Sequence, residues 1–173
     1  MNPTTTTVKK TMFANFVAIT KARLAISVVF STIAGYLLGV DSWDNSNWIV
    51  LLMLVVGGYC MVGASNAFNQ VIEKDLDALM QRTKNRPLPT GRMQSSTALA
   101  IAITMTVIGI VVLYLLNWRT ALFGSISIFL YVALYTPLKT RTPLAVFVGA
   151  FPGAIPFMLI SMLLADYLSL SPN

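Results

Sequence analysis

Three polar side chains at a regular spacing stand out in an otherwise apolar sequence. Asn69, Glu73 and Asp77 follow one another four residues apart, so on a helix they share one face. Two carboxylates and an amide on one stripe repel each other unless a cation lies between them, and such oxygen ligands suit Mg²⁺. Mg²⁺ also neutralises a diphosphate and makes it a better leaving group. The alternative is a solvated helix end, in which the two carboxylates pair with Lys74 or Arg82.

A basic segment follows directly, with the sequence QRTKNRPLPTGRM at residues 81–93. Its cationic side chains are Arg82, Lys84, Arg86 and Arg92. Guanidinium groups bind phosphate through two parallel hydrogen bonds, and an ammonium group neutralises it as a point charge. An acidic stripe beside a basic loop is therefore what a metal-bound diphosphate ester requires. Taken alone, the loop equally fits an orientation signal or a contact with anionic lipid headgroups.

The elements that must position these side chains are membrane helices. Of the 173 residues, 56% are hydrophobic and only 10% are charged, which is incompatible with the solvated surface of a soluble domain. A helix needs about 20 apolar residues to cross the hydrocarbon core of a bilayer. We predict an all-α membrane protein, with a polar cytoplasmic segment at 1–20, one domain at 21–165 and a tail at 166–173. The five predicted spans are 24–40, 49–72, 97–117, 120–137 and 144–165.

The basic residues predict how these spans are oriented. Of the 12 Lys and Arg residues, all except Arg119 fall on one side of the predicted spans, and the positive-inside rule places that side and the N-terminus in the cytoplasm. Lys21 and Arg23, just before the first span, are assigned to this orienting role. The net charge of +6 then requires no nucleic-acid partner. Cys60 lies in mid-span and is expected to pack, and a sequence without His has no His-based metal site or general base.

The segment around the acidic stripe resembles a known motif. The run FNQVIEKDLDALMQRTKNRPLP, residues 68–89, is similar to the first aspartate-rich motif of the UbiA superfamily of intramembrane prenyltransferases. Asn69, Glu73 and Asp77 occupy its three ligand positions, with Glu in place of the first Asp. The substitution keeps the charge and lengthens the side chain by one methylene group.

Two further segments resemble one branch of that superfamily, the protoheme IX farnesyltransferases. The first is YTPLKTRTPLAVFVGAFPGAIP at residues 135–156, in which GAFPGAIP at 149–156 is the most diagnostic part. The second is ITKARL at residues 19–24, where Ala22 stands at a position at which the branch commonly has proline. The resemblance extends from about Phe16 to Leu159.

This resemblance implies an activity. Enzymes of the branch transfer a farnesyl group from farnesyl diphosphate to the 2-vinyl group of haem B, which yields haem O and diphosphate and requires Mg²⁺. The implied location is the bacterial cytoplasmic membrane, and haem A synthase and oxidase assembly proteins are the implied protein partners. The lipid bilayer is the surrounding medium.

The resemblance also implies roles for individual residues. Asn69, Glu73 and Asp77 would hold Mg²⁺, and Lys139 would join them in catalysis. Tyr135 is a candidate for substrate binding, with an interfacial aromatic as its alternative. The diphosphate would be bound by Arg82, Lys84 and Arg86, together with Lys139.

The sequence also departs from the superfamily. Its members fold as nine helices around a central cavity and carry a second acidic motif and a His in their latter half, whereas the five spans predicted here correspond to the N-terminal part of that bundle. Similarity to the branch fades from Ile160. We therefore expect a truncated or frameshifted product whose catalysis depends on a partner fragment or on self-association. The alternatives are an inactive remnant, a non-catalytic membrane partner, a prenyltransferase for a quinone precursor, and a small transporter, although no internal repeat supports the last.

Overall fold

The chain forms a bundle of apolar helices in the computed structural model, which describes residues 11–40 and 45–139 together with Thr142 and Gly149. All regular secondary structure in these residues is helical. The helices are α1 Met12–Ile19, α2 Ala22–Gly39, α3 Asn45–Ile72, α4 Lys74–Leu79, α5 Ser95–Leu116, α6 Trp118–Phe129 and α7 Thr136–Leu138, with a π-helical turn at Leu130–Tyr135 between the last two.

Three of the helical stretches are long and apolar enough to cross a membrane. They are Asn47–Ile72, Ser95–Leu116 and Trp118–Leu138, and α1 and α2 form a pair bent by 55° that brings the number to four if it is one interrupted span. Large apolar side chains face outward, such as Phe30 (69% exposed) and Leu115 (70% exposed). The predicted all-α membrane architecture is confirmed. The fifth predicted span, 144–165, lies outside the described residues apart from Gly149.

The helix α3 is the central element of the described bundle. It packs most extensively against α5 and next against α2. Its 28 residues reach about 42 Å, which exceeds the hydrocarbon core of about 30 Å. A helix of this length can extend beyond the hydrocarbon core, where polar side chains are tolerated.

Glycines allow α3 and α5 to approach closely. A Cβ atom at Gly57 would lie 2.7 Å from Cδ2 of Leu113, and one at Gly109 would lie 2.8 Å from Sδ of Met61. Small residues have this role in membrane helices because dispersion contacts, which need close approach, drive their association. Gly149 lies against the ring of Tyr135.

The helix α1 lies within the segment predicted only as a polar N-terminus. Thr11 caps it, with its hydroxyl oxygen accepting a hydrogen bond from the backbone N–H of Ala14 at 3.3 Å. The helix ends at Thr20 and Lys21, where the chain turns sharply into α2. Its buried residues, Asn15 and Ile19, attach it to the rest of the bundle, so this segment is a structured part of the fold.

Candidate active site at the end of α3

The acidic stripe is formed as the spacing predicts. Asn69, Glu73 and Asp77 are 1%, 6% and 3% exposed. The backbone N–H of Glu73 donates to the carbonyl of Asn69 at 3.0 Å, and that of Asp77 donates to the carbonyl of Glu73 at 2.7 Å. The helical path thus continues from α3 into α4 and keeps the three side chains on one buried face. Asp75, between them in sequence, is exposed.

Lys139 reaches this stripe from the end of α7. Its Nζ lies 2.6 Å from Oε1 of Glu73 and donates to Oδ1 of Asn69 at 3.3 Å. The amide of Asn69 donates in turn to Oε2 of Glu73 at 2.9 Å. Among the described residues, Oε1 of Glu73 has no other partner and no well-directed hydrogen bond, so its contact with Lys139 is chiefly electrostatic.

The π-helical turn brings a further side chain to the same place. The hydroxyl of Thr136 donates to the backbone carbonyl of Tyr131, five residues back, at 2.8 Å, and also lies 3.3 Å from Oδ1 of Asn69. Such turns add one residue to a helix and are frequent at functional sites. Thr136 lies in the family-like segment at 135–156, but sequence reasoning did not assign it to the site, because its contact with Asn69 depends on the helix geometry.

Arg86 is the residue of the basic loop that meets the stripe. Its Nη1 lies 2.6 Å from Oδ2 of Asp77, and the hydroxyl of Thr83 donates to the backbone carbonyl of Asp77 at 3.0 Å. The partners of the two carboxylates are thus Arg86 and Lys139, in place of the alternative partners Lys74 and Arg82.

The other basic residues of the loop are placed differently. Arg82 and Lys84 are exposed, so the structure does not bring these two predicted diphosphate ligands to the stripe. Arg92 serves the loop itself, because its guanidinium donates to the carbonyl of Asn85 and to the hydroxyl of Thr90. Gly91, with φ of +70°, provides the left-handed turn that closes the loop.

Tyr135 lies beside Lys139, as their spacing in sequence predicts. The ammonium of Lys139 is 5.8 Å from the centre of the Tyr135 ring, within the range of a cation–π contact. The ring of Tyr131 lies 5.2 Å from that of Tyr135. Two aromatic rings thus border the charged cluster on the side of the π-helical turn.

Lys21 contributes a third cation to the cluster. The charges of Arg86, Lys139, Glu73 and Asp77 all act on its ammonium group, and its side chain is half-buried. It occupies the turn between α1 and α2 with a left-handed backbone, φ 47° and ψ 54°. The orienting role assigned from sequence does not explain this position.

Two amides on α3 hold that turn in place. The side-chain amide of Gln70 donates to the carbonyls of Ala18 and Ile19 at 3.1 and 2.8 Å. That of Asn66 donates to the carbonyl of Thr20 at 3.2 Å. These carbonyls lie at the C-terminal end of α1, where regular helical partners run out, although that of Ala18 also accepts from the backbone N–H of Lys21 at 3.4 Å. Asn66 and Gln70 were missed as site residues, although buried amides in an apolar helix are a signal for a specific role.

An apolar cleft of about 380 Å³ opens between α2 and α3 near this turn. The hydroxyl of Tyr59, at one end of the cleft, lies 3.5 Å from that of Thr20. The cleft is lined by Ile26, Val29, Val55, Val56, Tyr59 and Cys60. The hydroxyl contact between Tyr59 and Thr20 connects this cleft to the turn between α1 and α2.

The oxygen atoms of the stripe are of the types that Mg²⁺ binds. Asn69, Glu73 and Asp77 supply one amide oxygen and two carboxylates on one face, and Mg²⁺ commonly takes one or two carboxylates and completes its shell with water and substrate phosphate. No group of three or more His, Cys, Asp or Glu residues that could enclose a metal occurs in the described part of the chain.

Comparison with known proteins gives one consistent result. The profile of the UbiA prenyltransferase family matches residues 28–172. The chain is 65% identical over 150 residues to a protein named protoheme IX farnesyltransferase from Flavobacterium psychrophilum. The aligned segment covers 87% of this chain and 50% of that protein. The same name belongs to a protein of Flavobacterium johnsoniae with equal identity and coverage. A third, from Myxococcus xanthus, is 38% identical over 147 residues, or 84% of this chain and 49% of that protein.

The chain spans about half the length of the curated relatives it matches. No solved structure gives a significant match.

Proposed function

This chain belongs to the UbiA prenyltransferase family, and we propose that it acts in the transfer of a farnesyl group from farnesyl diphosphate to a vinyl group of haem B. The new carbon–carbon bond leaves a cation at the other vinyl carbon, which water captures with loss of a proton, so that the products are haem O and diphosphate. The name shared by its relatives supports this reaction. The observation that carries the proposal is the buried stripe of Asn69, Glu73 and Asp77 with Arg86 and Lys139 in contact with its carboxylates. A diphosphate with its metal requires both kinds of charge within one site.

The oxygen-bearing side chains Asn69, Glu73 and Asp77 would hold Mg²⁺, which when bound neutralises the diphosphate as a leaving group. Arg86 and Lys139 would donate to diphosphate oxygens as the bond between the farnesyl carbon and oxygen breaks. Each is within ion-pair distance of a carboxylate, so each can pass from that carboxylate to the substrate over a short distance. A bidentate guanidinium and a point-charge ammonium suit this role.

Arg82 and Lys84 remain predicted diphosphate ligands, but we propose that they act at the entrance of the site rather than at the stripe. Both are exposed on the loop that follows α4, so they would meet an incoming diphosphate at the entrance of the site. The apolar cleft between α2 and α3 is lined in part by Tyr59, whose hydroxyl lies 3.5 Å from that of Thr20 in the turn beside Lys21, and we propose that this cleft takes isoprene units of the donor. Tyr135, beside Lys139, would border the reacting end of the chain.

The proposed location is the bacterial cytoplasmic membrane, with the N-terminus and the site on the cytoplasmic side. The basic residues near the site, Lys21, Arg86 and Lys139, all belong to segments that the positive-inside rule places there. A farnesylated haem stays in the bilayer because its chain is apolar. The proteins that receive it would therefore be membrane proteins, and haem A synthase and oxidase assembly proteins are the partners we propose.

The test is haem O formation in cells that lack their own synthase and express this chain alone. Haem extracts are separated chromatographically and haem O is identified by mass. We expect haem O with the wild-type chain and none with Glu73→Gln, which removes one carboxylate from the stripe while preserving its size. A prenylated quinone precursor in place of haem O would show a different acceptor.

A binding experiment complements this test. The purified chain in lipid nanodiscs is titrated with farnesyl diphosphate in the presence and absence of Mg²⁺. Mg²⁺-dependent binding without haem O formation would show that this chain supplies the donor site and needs a further component for transfer. Absence of any binding would refute the proposal and favour a non-catalytic membrane protein.

A further inference from the structure

The π-helical turn at Leu130–Tyr135 decides which of the following residues face α3. Such a turn adds one residue to the helix, so the residues after it are rotated by about 100° relative to a regular continuation of α6. Pro137 follows directly and has no backbone N–H, so the register changes where one helical hydrogen bond is absent in any case. The rotated face carries Thr136 and Lys139, which both contact the amide oxygen of Asn69.

The hydroxyl of Thr136 is not needed to hold this turn together. The backbone N–H of Thr136 already donates to the carbonyl of Tyr131, and this bond across five residues defines the π-helical turn. The hydroxyl donates to the same carbonyl at 2.8 Å, so one residue supplies that carbonyl with two donors. A hydroxyl has a single proton. By rotation it can give that proton to Oδ1 of Asn69, which lies 3.3 Å away, and the turn keeps its backbone bond.

The amide of Asn69 has a fixed orientation in a dry environment. Its NH₂ group donates to Oε2 of Glu73 at 2.9 Å, so its oxygen faces Lys139 and Thr136. Asn69 and Thr136 are each 1% exposed, and water therefore has little access to replace a lost partner. In the proposed function Lys139 leaves this oxygen for the diphosphate. The hydroxyl of Thr136 is then the donor that remains to it among the described residues.

We propose that Thr136 is a positioning residue whose hydroxyl holds the amide oxygen of Asn69 in place as a Mg²⁺ ligand. This inference rests on the proposed function and adds a residue that acts through Asn69. An amide oxygen has two lone pairs, so one can accept from Thr136 while the other faces the metal. Mg²⁺ demands near-ideal octahedral geometry, whereas Ca²⁺ accepts a more flexible arrangement of oxygen ligands. A ligand that a second residue holds in place therefore matters more for Mg²⁺ than for Ca²⁺.

The experiment measures metal selectivity and stability together. Binding of Mg²⁺ and, separately, of Ca²⁺ is measured by calorimetry for the chain in lipid nanodiscs, and the thermal unfolding midpoint is measured in parallel. The variants are Thr136→Val, which keeps the shape and removes the hydroxyl, and Thr136→Ser, which keeps the hydroxyl. Thr106→Val is the matched control, because the hydroxyl of Thr106 donates to the carbonyl of Ala102 at 2.8 Å within α5.

We expect Thr136→Val to bind Mg²⁺ about fivefold more weakly, the loss expected for one hydrogen bond between neutral groups. Its Ca²⁺ affinity should change by less than about twofold, because Ca²⁺ tolerates a displaced ligand. Thr136→Ser should restore the wild-type ratio of the two affinities, and Thr106→Val should leave that ratio unchanged.

A merely structural Thr136 predicts a different result. The unfolding midpoint of Thr136→Val would fall, and its two metal affinities would stay unchanged or fall by the same factor. Either pattern, in a wild type that binds Mg²⁺, would overturn the inference and leave the proposed function standing. If the wild-type chain binds no Mg²⁺ with or without pyrophosphate, the proposed function itself fails and the inference falls with it.

Discussion

Replacing Lys139 by Met should change metal binding and diphosphate binding in opposite directions. In the absence of ligands the ammonium of Lys139 lies 2.6 Å from a carboxylate oxygen of Glu73 and donates to the amide oxygen of Asn69. A metal ion that uses these oxygens must displace Lys139. The substitution removes this competitor and leaves Glu73 as an uncompensated, largely buried carboxylate, so Mg²⁺ alone should bind more tightly to the variant.

The burial of the pair sets the size of the effect. The side chain of Lys139 is 31% exposed and that of Glu73 is 8% exposed. Loss of one partner costs about 3–5 kcal/mol for a fully buried pair, whereas an exposed pair contributes about 0.2–1 kcal/mol. An intermediate value of about 1.4 kcal/mol corresponds to a factor of about ten in affinity. We therefore expect Mg²⁺ alone to bind about tenfold more tightly to the variant than to the wild type.

The measurement is a calorimetric titration of the chain in lipid nanodiscs, first with Mg²⁺ alone and then with pyrophosphate at saturating Mg²⁺. Pyrophosphate should bind more weakly to Lys139→Met, because the ammonium that would meet it is gone. Lys74→Met is the matched control and should change neither affinity. An Mg²⁺ affinity that is unchanged or lower in Lys139→Met would show that this lysine and a metal ion do not compete for the same oxygens. Glu73 would then be an ion-pair partner that takes no part in metal binding.

Three other substitutions test the support of the site. Gln70→Leu removes two hydrogen bonds to the end of α1 and leaves the carbonyl of Ile19 without its side-chain partner, so the unfolding midpoint should fall by an amount equivalent to about 1–3 kcal/mol, with faster amide exchange in α1. Gly109→Val should lower the unfolding midpoint in detergent, because its added atoms would meet Met61 where α3 and α5 cross; Gly109→Ala should have a smaller effect. Arg86→Met should weaken pyrophosphate binding and, by releasing the ion pair with Asp77, loosen the loop, which increased proteolysis there would detect.

The sequence predicts the parts of the fold and site that depend on local pattern. Hydropathy indicates the membrane helices, and the four-residue spacing indicates that Asn69, Glu73 and Asp77 share a face. The resemblance to the UbiA superfamily, which rests on this segment, is confirmed by the family comparison. These features could be predicted because helical periodicity and lipid solvation act over a few residues at a time.

The partners of the acidic stripe could not be predicted from local pattern. Lys139 is 70 residues from Asn69 in sequence, and only the family resemblance points to it. Four basic residues of the loop are equivalent on composition, yet Arg86 alone reaches Asp77, because the loop folds back on itself through Arg92 and Gly91. An ion pair that depends on tertiary contacts has no signature in the spacing of residues along one segment.

Lys21 shows which part of the fold a general rule leaves out. The positive-inside rule accounts for a lysine before a first span, but it carries no information on the turn between α1 and α2. That turn depends on Gln70 and Asn66, whose amides bind the end of α1 from α3, within one turn of Asn69. The same helix thus positions both the acidic stripe and the turn that carries Lys21. Hydrogen bonds between residues about 50 positions apart in the sequence have no signature in the hydropathy or the charge of either segment.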